Sequence, residues 1–219
     1  IEGKFGTMTD TRERTVVQDA ALARMMEGEK EKLAQFLWLV VGSGKTKTCC
    51  DFLHRINRTK SILWAAPATS IESIANEIRD KIGWQVIVLV NNKKELEEDD
   101  WNGITKSGHT VSRLEVTSNF TFKDGIVYLI EHDTLRKKNT TGTKVIDILL
   151  QIMTCVAFVL DEAHKCMATL TQRTHNVQKL SALSPVFIAI SGTPVLNKKI
   201  QPLLPLLQLC VSFAIKPGW

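Results

Sequence analysis

The residues best suited to chemistry fall in three short clusters: Gly42-Ser43-Gly44-Lys45-Thr46, Asp161-Glu162-Ala163-His164 and Ser191-Gly192-Thr193-Pro194. In the first, small residues let the backbone close around a phosphate so that several N–H groups point at it. Lys45 adds a mobile positive charge, and the Thr46 hydroxyl is placed to ligate Mg²⁺. The full phosphate-loop pattern also asks for a glycine where Leu39 stands, so the match is to its second half. A nucleoside triphosphate with Mg²⁺ needs a cation for its phosphates, a carboxylate for the metal and a group that positions the attacking water. Lys45, Asp161 and Glu162 supply these in turn, with Glu162 as general base or water orienter. ATP and Mg²⁺ are the cofactors these residues call for. His164 can hydrogen-bond across to Ser191 or Thr193, either as a relay of nucleotide state or as a plain structural contact.

Chemistry of this kind needs all three clusters at one edge of a sheet, and the apolar pattern predicts that placement. Phe36–Val41 reads as a buried strand, followed by the Gly-rich turn and a helix carrying Cys49, Phe52, Leu53 and Ile56 at helical spacing. Ser61–Ala66 is a second strand, stopped by Pro67; Ser70 is then expected to cap a helix with Ile71, Ile74, Ala75, Ile78 and Ile82 on one face. Gln85–Val90, Ile126–Ile130, Cys155–Leu160 and Val186–Ile190 are further strands. Val145–Met153 and Gln172–Leu183 are helices. A first helix is expected between Thr9 and Lys32, with its rhythm in Val16, Val17, Ala20, Ala21, Ala23 and Met26, broken at Gly28. Residues 91–125, with an acidic run after Lys93-Lys94 and a Ser/Thr-rich stretch, read as a surface excursion with room for a short helix and a short strand. Strand alternates with helix roughly six times, which predicts an α/β fold with one doubly wound, mostly parallel sheet and helices on both faces. In such sheets ligands bind beyond the C-terminal ends of the strands, where each of the three clusters is expected to lie.

Bulk properties limit the classes of function. A chain of 219 residues can build one large α/β domain. Its net charge of +5 and pI near 9.0 permit contact with a polyanion without requiring it. Five cysteines, none in a Cys-x-x-Cys pair, read as reduced thiols in an intracellular protein of nucleus or cytoplasm, of cellular or viral origin. No apolar run is long enough to span a bilayer, and Ile1-Glu2-Gly3-Lys4 does not open a signal peptide, so no membrane partner is expected. Trp38, Trp64, Trp84 and Trp101 read as packing residues.

The three clusters in this order resemble motifs I, II and III of superfamily 2 helicases and translocases, DEAH box included. Ser191-Gly192-Thr193-Pro194-Val195-Leu196-Asn197 with the Leu-rich continuation, Leu63-Trp64-Ala65-Ala66-Pro67, and Tyr128 to Arg136 are similar to the Swi/Snf-type branch. The approach Leu39-Val40-Val41-Gly42-Ser43 departs from that branch, and viral-type members resemble the chain about as well. The resemblance covers roughly residues 14 to 210 and implies the first RecA-like motor lobe, an ATP hydrolase that drives movement on nucleic acid, duplex DNA before RNA. It implies Gln18 as the adenine reader, although a solvated helix residue is the other reading of that position. It implies backbone and hydroxyl contacts to nucleic acid from Pro67 to Ser70, with Thr69 and Ser70 as candidates. Nothing after Pro194 resembles motifs IV to VI, so a second RecA-like lobe with an arginine finger is expected as a partner region, and the lobe alone is expected to hydrolyse ATP slowly. A non-catalytic nucleotide-gated scaffold and a phosphate-loop kinase are the competing functions.

Overall fold

Alternation along the strands decides which helices cover which face of the sheet. The computed structural model describes residues 8, 10, 12–30, 34–40, 42–56, 61–92, 103–153, 156–166 and 171–192. Among these, the strands are β1 (Gln35–Trp38), β2 (Ser61–Ala66), β3 (Gln85–Val90), β4 (Ser112–Glu115), β5 (Ile126–Glu131), β6 (Val156–Leu160) and β7 (Val186–Ser191). They form a sheet in the order β1-β7-β6-β2-β5-β3-β4. Every pairing is parallel. The helices are α1 (Val16–Lys30), α2 (Lys45–Ile56), α3 (Ala68–Asn76), α4 (Val145–Ile152) and α5 (Gln172–Leu183).

Ile62, Trp64, Val127, Leu129, Val159 and Ile188 point to one side and pack with Leu22, Met25, Phe52, Leu53, Ile71 and Ile74 of α1, α2 and α3. The residues between them, Leu63, Ala65, Tyr128, Phe158 and Phe187, point to the other side and meet Ile148, Leu149, Val177 and Leu180 of α4 and α5. β2, β6 and β7 are buried along their whole length, as strands covered on both faces must be. The doubly wound sheet expected from the sequence is therefore the one observed. No helix among the described residues is long and apolar enough to cross a membrane.

Four local expectations are corrected. Residues 91–125 are more than a surface excursion: β4 adds to the sheet beside β3, and Val111, Val116 and Phe120 are buried. Phe120 and Phe122 pack edge-on against Tyr128 at 5.7 and 5.0 Å, so the stretch closes the core at that edge; residues 93–102 lie outside the described set. β1 ends at Trp38 and not at Val41, because ladder pairing with β7 stops at Ser191. α3 starts at Ala68 with Pro67 as its N-cap and no side-chain cap, so Ser70 is inside the first turn and does not cap the helix. Its last part, Glu77–Ile82, is wound as a π-helix that ends at Gly83 in a left-handed conformation with φ 84°. α1 runs through Gly28, where a Cβ would come within 2.7 Å of the amide end of the Gln35 side chain. The buried stripe of α1 is Gln18, Leu22 and Met25, while Val16 and Val17 are exposed. An apolar count misses that stripe because its first member is polar.

A chain of ion pairs fastens the segment before α1 to the sheet's helices. Lys47 and Asp51, one turn apart on α2 and both buried, lie 3.4 Å from each other. Lys47 also reaches Asp10 at 3.7 Å, and Arg12 bridges Asp10 and Glu77 at 2.5 and 2.6 Å. The hydrogen bonds from Arg12 hold the Asp10 carboxyl below its usual range, against its own burial. A lowered carboxylate stabilises the fold above the ordinary aspartate pKa, and that contribution is lost as pH falls through the lowered value.

Candidate nucleotide site

Because all strands run the same way, the turns after β1, β7 and β6 emerge side by side. In register, Trp38 sits opposite Ser191 and Leu160 opposite Ala189. Among the described residues, Gly42–Thr46, Asp161–His164 and the first two residues of the third cluster, Ser191 and Gly192, are thus brought to one sheet edge.

The turn after β1 folds around one carbonyl. Val40 O accepts from Ser43 N at 3.2 Å, from Ser43 Oγ at 2.7 Å and from Lys45 Nζ at 3.4 Å. Gly42 and Gly44 have φ of 81° and 79°, a region open to glycine at little cost. Thr48 N then donates to Gly44 O at 3.0 Å and α2 begins, with Lys45 and Thr46 half-buried in its first turn. The amides of that first turn and the Lys45 ammonium form the concavity an anion requires. Gln18 closes it from the side: Nε2 donates to Ser43 O at 2.7 Å, and Oε1 accepts from Thr15 N at 2.9 Å. Gln18 is accordingly buried and bonded to the loop, not a solvated helix residue.

A Cβ on Gly44 would collide with the Gln18 amide, and the left-handed backbone there costs a non-glycine residue about 1–2 kcal/mol. Gly44→Ala is therefore expected to lower affinity for a fluorescent ATP analogue by about tenfold or more. Gly44→Ala combined with Gln18→Ala relieves the collision but not the backbone, so recovery is expected to be partial. Titration of both variants measures it.

Asp161 continues the β6 ladder, its N–H donating to Ala65 O at 2.8 Å. Burial pushes its carboxyl upward; the hydrogen bond from Glu162 N, 2.8 Å from Asp161 Oδ1, pulls the other way, the Glu162 charge raises it further and the Lys45 charge lowers it. The Trp64 indole nitrogen lies close to this carboxyl without completing a hydrogen bond of good geometry. A half-buried carboxylate within reach of the Lys45 charge is a group that suits a hard divalent cation beside a polyphosphate. The residues present fit Mg²⁺ and ATP.

Glu162 has φ 46°, unusual for a non-glycine residue. Backbone of this kind costs about 1–3 kcal/mol and persists where the surroundings hold it. From there Glu162 Oε2 lies 3.1 Å from His164 Nδ1, and the same nitrogen lies 3.0 Å from Ser191 Oγ. Burial lowers the imidazole's pKa, while the Glu162 charge raises it. One ring nitrogen thus has two partners on two different strand ends. Either its N–H is shared between them, or its lone pair accepts the serine proton and turns away from the carboxylate. Of the two partners the sequence offered His164, Ser191 is bonded to it; Thr193 lies outside the described residues.

The candidate nucleic-acid residues lie elsewhere. Thr69 is exposed and Ser70 half-buried on the first turn of α3. Thr69 lines a hollow of about 490 Å³ whose other walls include Glu72, Glu77 and Asp80 together with Lys81 and Lys106, so a phosphate on that side meets charges of both signs. His132 and Asp133, within the Tyr128 to Arg136 segment at the end of β5, stand beside Arg173 at the start of α5, which no motif announces. Burial takes His132 down to about 4, which leaves it neutral near pH 7. Only spatial proximity adds Arg173 to this pair, since it lies 40 residues beyond Asp133 in the chain.

A model of the family described as type III restriction enzyme, res subunit, matches residues 13–196. No curated protein matches the chain. Among solved structures, the Sulfolobus solfataricus SWI2/SNF2 ATPase core in complex with dsDNA aligns with a TM-score of 0.66 at 17% identity, over 94% of this chain and 37% of that one. The SWI2/SNF2 ATPase core domain of the same organism aligns at 0.62 and 15%, over 96% and 37%. A nuclease-deletion mutant of the Type ISP restriction-modification enzyme LlaGI, in complex with a DNA substrate mimic, aligns at 0.58 and 12%, over 85% and 18%. The chain spans little more than a third of the first two solved chains. At these identities the likeness is one of fold.

Proposed function

Because the chain belongs to the family of type III restriction enzyme res subunits and has the RecA-like fold of superfamily 2 motors, we propose that it is the ATP-binding lobe of a nucleic-acid translocase or helicase that hydrolyses ATP with Mg²⁺. The observation that carries this reading is the shared nitrogen of His164, which ties Glu162 to Ser191 beside the phosphate loop. ATP, when bound, would supply a phosphoanhydride bond, and Thr46 and Asp161 would hold its Mg²⁺.

The protein's own part is positioning and charge. Lys45 leaves the Val40 carbonyl to face the phosphates. Gln18, fixed on the loop, is next to the place where a base would rest. Glu162 orients the water and takes up its proton. That change at Glu162 alters what His164 Nδ1 can offer Ser191, and so reaches the end of β7. A nucleotide-gated scaffold without turnover would use Lys45 and Asp161 to bind, but would have no need of Glu162 as a base beside them.

Duplex DNA is the proposed track, supported by the dsDNA bound to a solved protein of the same fold and by the basic net charge. A second RecA-like lobe is proposed to complete the site with an arginine finger, which is worth about 10³–10⁵ in rate. The test is ATP turnover by this chain alone and joined to such a lobe, each with and without duplex DNA. Slow turnover alone and DNA-stimulated turnover when joined are expected. Strong DNA-stimulated turnover by the chain alone would refute the division of labour, and no nucleotide binding by either would refute the motor reading.

A further inference from the structure

Beside the nucleotide crevice, where β2 and β5 end, a separate cavity of about 180 Å³ opens, lined by Pro67, Ala68, His132, Asp133, Lys165 and Arg173. It has room for about one phosphodiester group. α3 starts at its wall with Pro67 as N-cap and no side chain capping the first-turn amides, an arrangement that attracts anions. His132, 4% exposed, lines it with an Nε2 that carries no hydrogen bond. Lys165 and Arg173 bring positive charge, while Glu131 lines the cavity as a carboxylate and sets a limit on how deep an anion can settle.

Arg173 is already engaged. Its Nη2 donates to Asp133 Oδ1, and its Nη1 donates to Lys165 O at 3.2 Å. Arg136 reaches the same Asp133 oxygen at 3.3 Å. Lys165 in turn donates its N–H to Glu162 O at 2.8 Å. One guanidinium therefore joins a carboxylate in the cavity to the backbone of the turn that carries Glu162 and His164. Guanidinium binds carboxylate and phosphate with the same planar fork.

We propose that Asp133 holds Arg173 as an internal stand-in for a nucleic-acid phosphate, and that a backbone phosphodiester entering this cavity displaces Asp133 and takes over Arg173. The exchange couples track binding to the Glu162 turn through Lys165 O. It rests on the nucleic-acid reading given under Proposed function and adds a residue and a mechanism to it. The displaced Asp133 is retained by Arg136, so no carboxylate is left without a cation.

The experiment is fluorescence anisotropy of the full chain with a labelled duplex DNA, over a salt series of about 50–200 mM, with inorganic phosphate as competitor in a parallel arm. Arg173→Gln is expected to weaken binding about tenfold and to reduce the slope of log affinity against log salt by about one, the signature of a single lost phosphate contact. Arg173→Lys is expected to restore the slope. Asp133→Asn is expected to tighten binding about threefold or more, and the double variant to bind no better than Arg173→Gln alone. Unchanged affinity and slope in Arg173→Gln overturn the proposal, as does an Asp133→Asn gain that survives without Arg173. Displacement of the duplex by millimolar phosphate at this site would overturn the assignment to a nucleic-acid backbone. If Arg173→Gln does not fold, Asp133→Asn decides: unchanged or weaker binding overturns the exchange. Wild-type protein that binds no DNA at all refutes the nucleic-acid reading itself, whereas DNA binding indifferent to Arg173 refutes only the exchange.

Discussion

Glu162→Gln is expected to cut ATP turnover by about 10²–10⁴-fold while affinity for nucleotide stays within about threefold. Gln keeps the size and polarity of the side chain, so the left-handed backbone at φ 46° and the contact with His164 have no reason to change. What is lost is a group that takes a proton from water. Pre-steady-state turnover, together with a binding titration of the same variant, separates the two effects. A large loss of affinity would instead place Glu162 among the groups that hold the phosphates or the metal. The same variant probes the relay. With no carboxylate beside Nδ1, His164 has Ser191 at 3.0 Å as its stronger partner, and any nucleotide-dependent change in DNA affinity is expected to flatten. A variant that hydrolyses slowly yet still modulates DNA affinity normally would argue that His164 and Ser191 take no message from Glu162.

Trp64→Ala is expected to cost about 3–5 kcal/mol of folding stability. The indole is 0% exposed in the middle of β2, opposite Leu129 and Val159 on the neighbouring strands and beneath α2 and α3. A loss of that size is a large part of the about 5–15 kcal/mol that holds a domain together. For a chain this long it lowers the melting temperature by about 10 °C or more. Trp38→Ala serves as the internal comparison. Trp38 is 55% exposed at the end of β1, and its loss is expected to cost less than about 1 kcal/mol. Chemical denaturation of both variants tests the contrast. Equal destabilisation would mean that Trp38 is covered in the folded protein. Trp64→Phe, which keeps most of the volume, is expected to fold well and to reveal whether the indole nitrogen affects the Asp161 carboxyl.

Packing and chemistry were legible to different degrees, and the reason is range. Ser61–Ala66 and Gln85–Val90 were readable to the residue because an apolar run bounded by polar or Pro residues is a local signal, and both became the strands observed. Gln172–Leu183 was equally plain, and Thr171 caps it by accepting from Thr174 N. A short strand was expected within residues 91–125, but its place at Ser112–Glu115 was not legible, since Ser112-Arg113-Leu114-Glu115 has little apolar character of its own and is held by pairing with β3. The apolar rhythm around α1 pointed to the wrong face, since its buried stripe is anchored by a glutamine that answers to the phosphate loop and not to a core.

The sequence by itself determined the parallel α/β architecture and singled out Lys45, Thr46, Asp161, Glu162, His164 and Ser191 as candidates for one nucleotide crevice. It could do so because each lies at the end of an apolar strand or in the turn and helix start that follow it, and parallel strands deliver their C-terminal ends to one edge. Only the tertiary structure decided how those residues touch. That two groups share His164 Nδ1, that Gln18 locks the loop at Ser43 O, and that Arg173 lies between Asp133 and the Glu162 turn are all consequences of strand order. β1, β7 and β6 are neighbours in space though far apart in the chain, and β2 and β5 likewise. Contacts between such distant segments are set by how the sheet is wound, and local residue patterns carry no record of it.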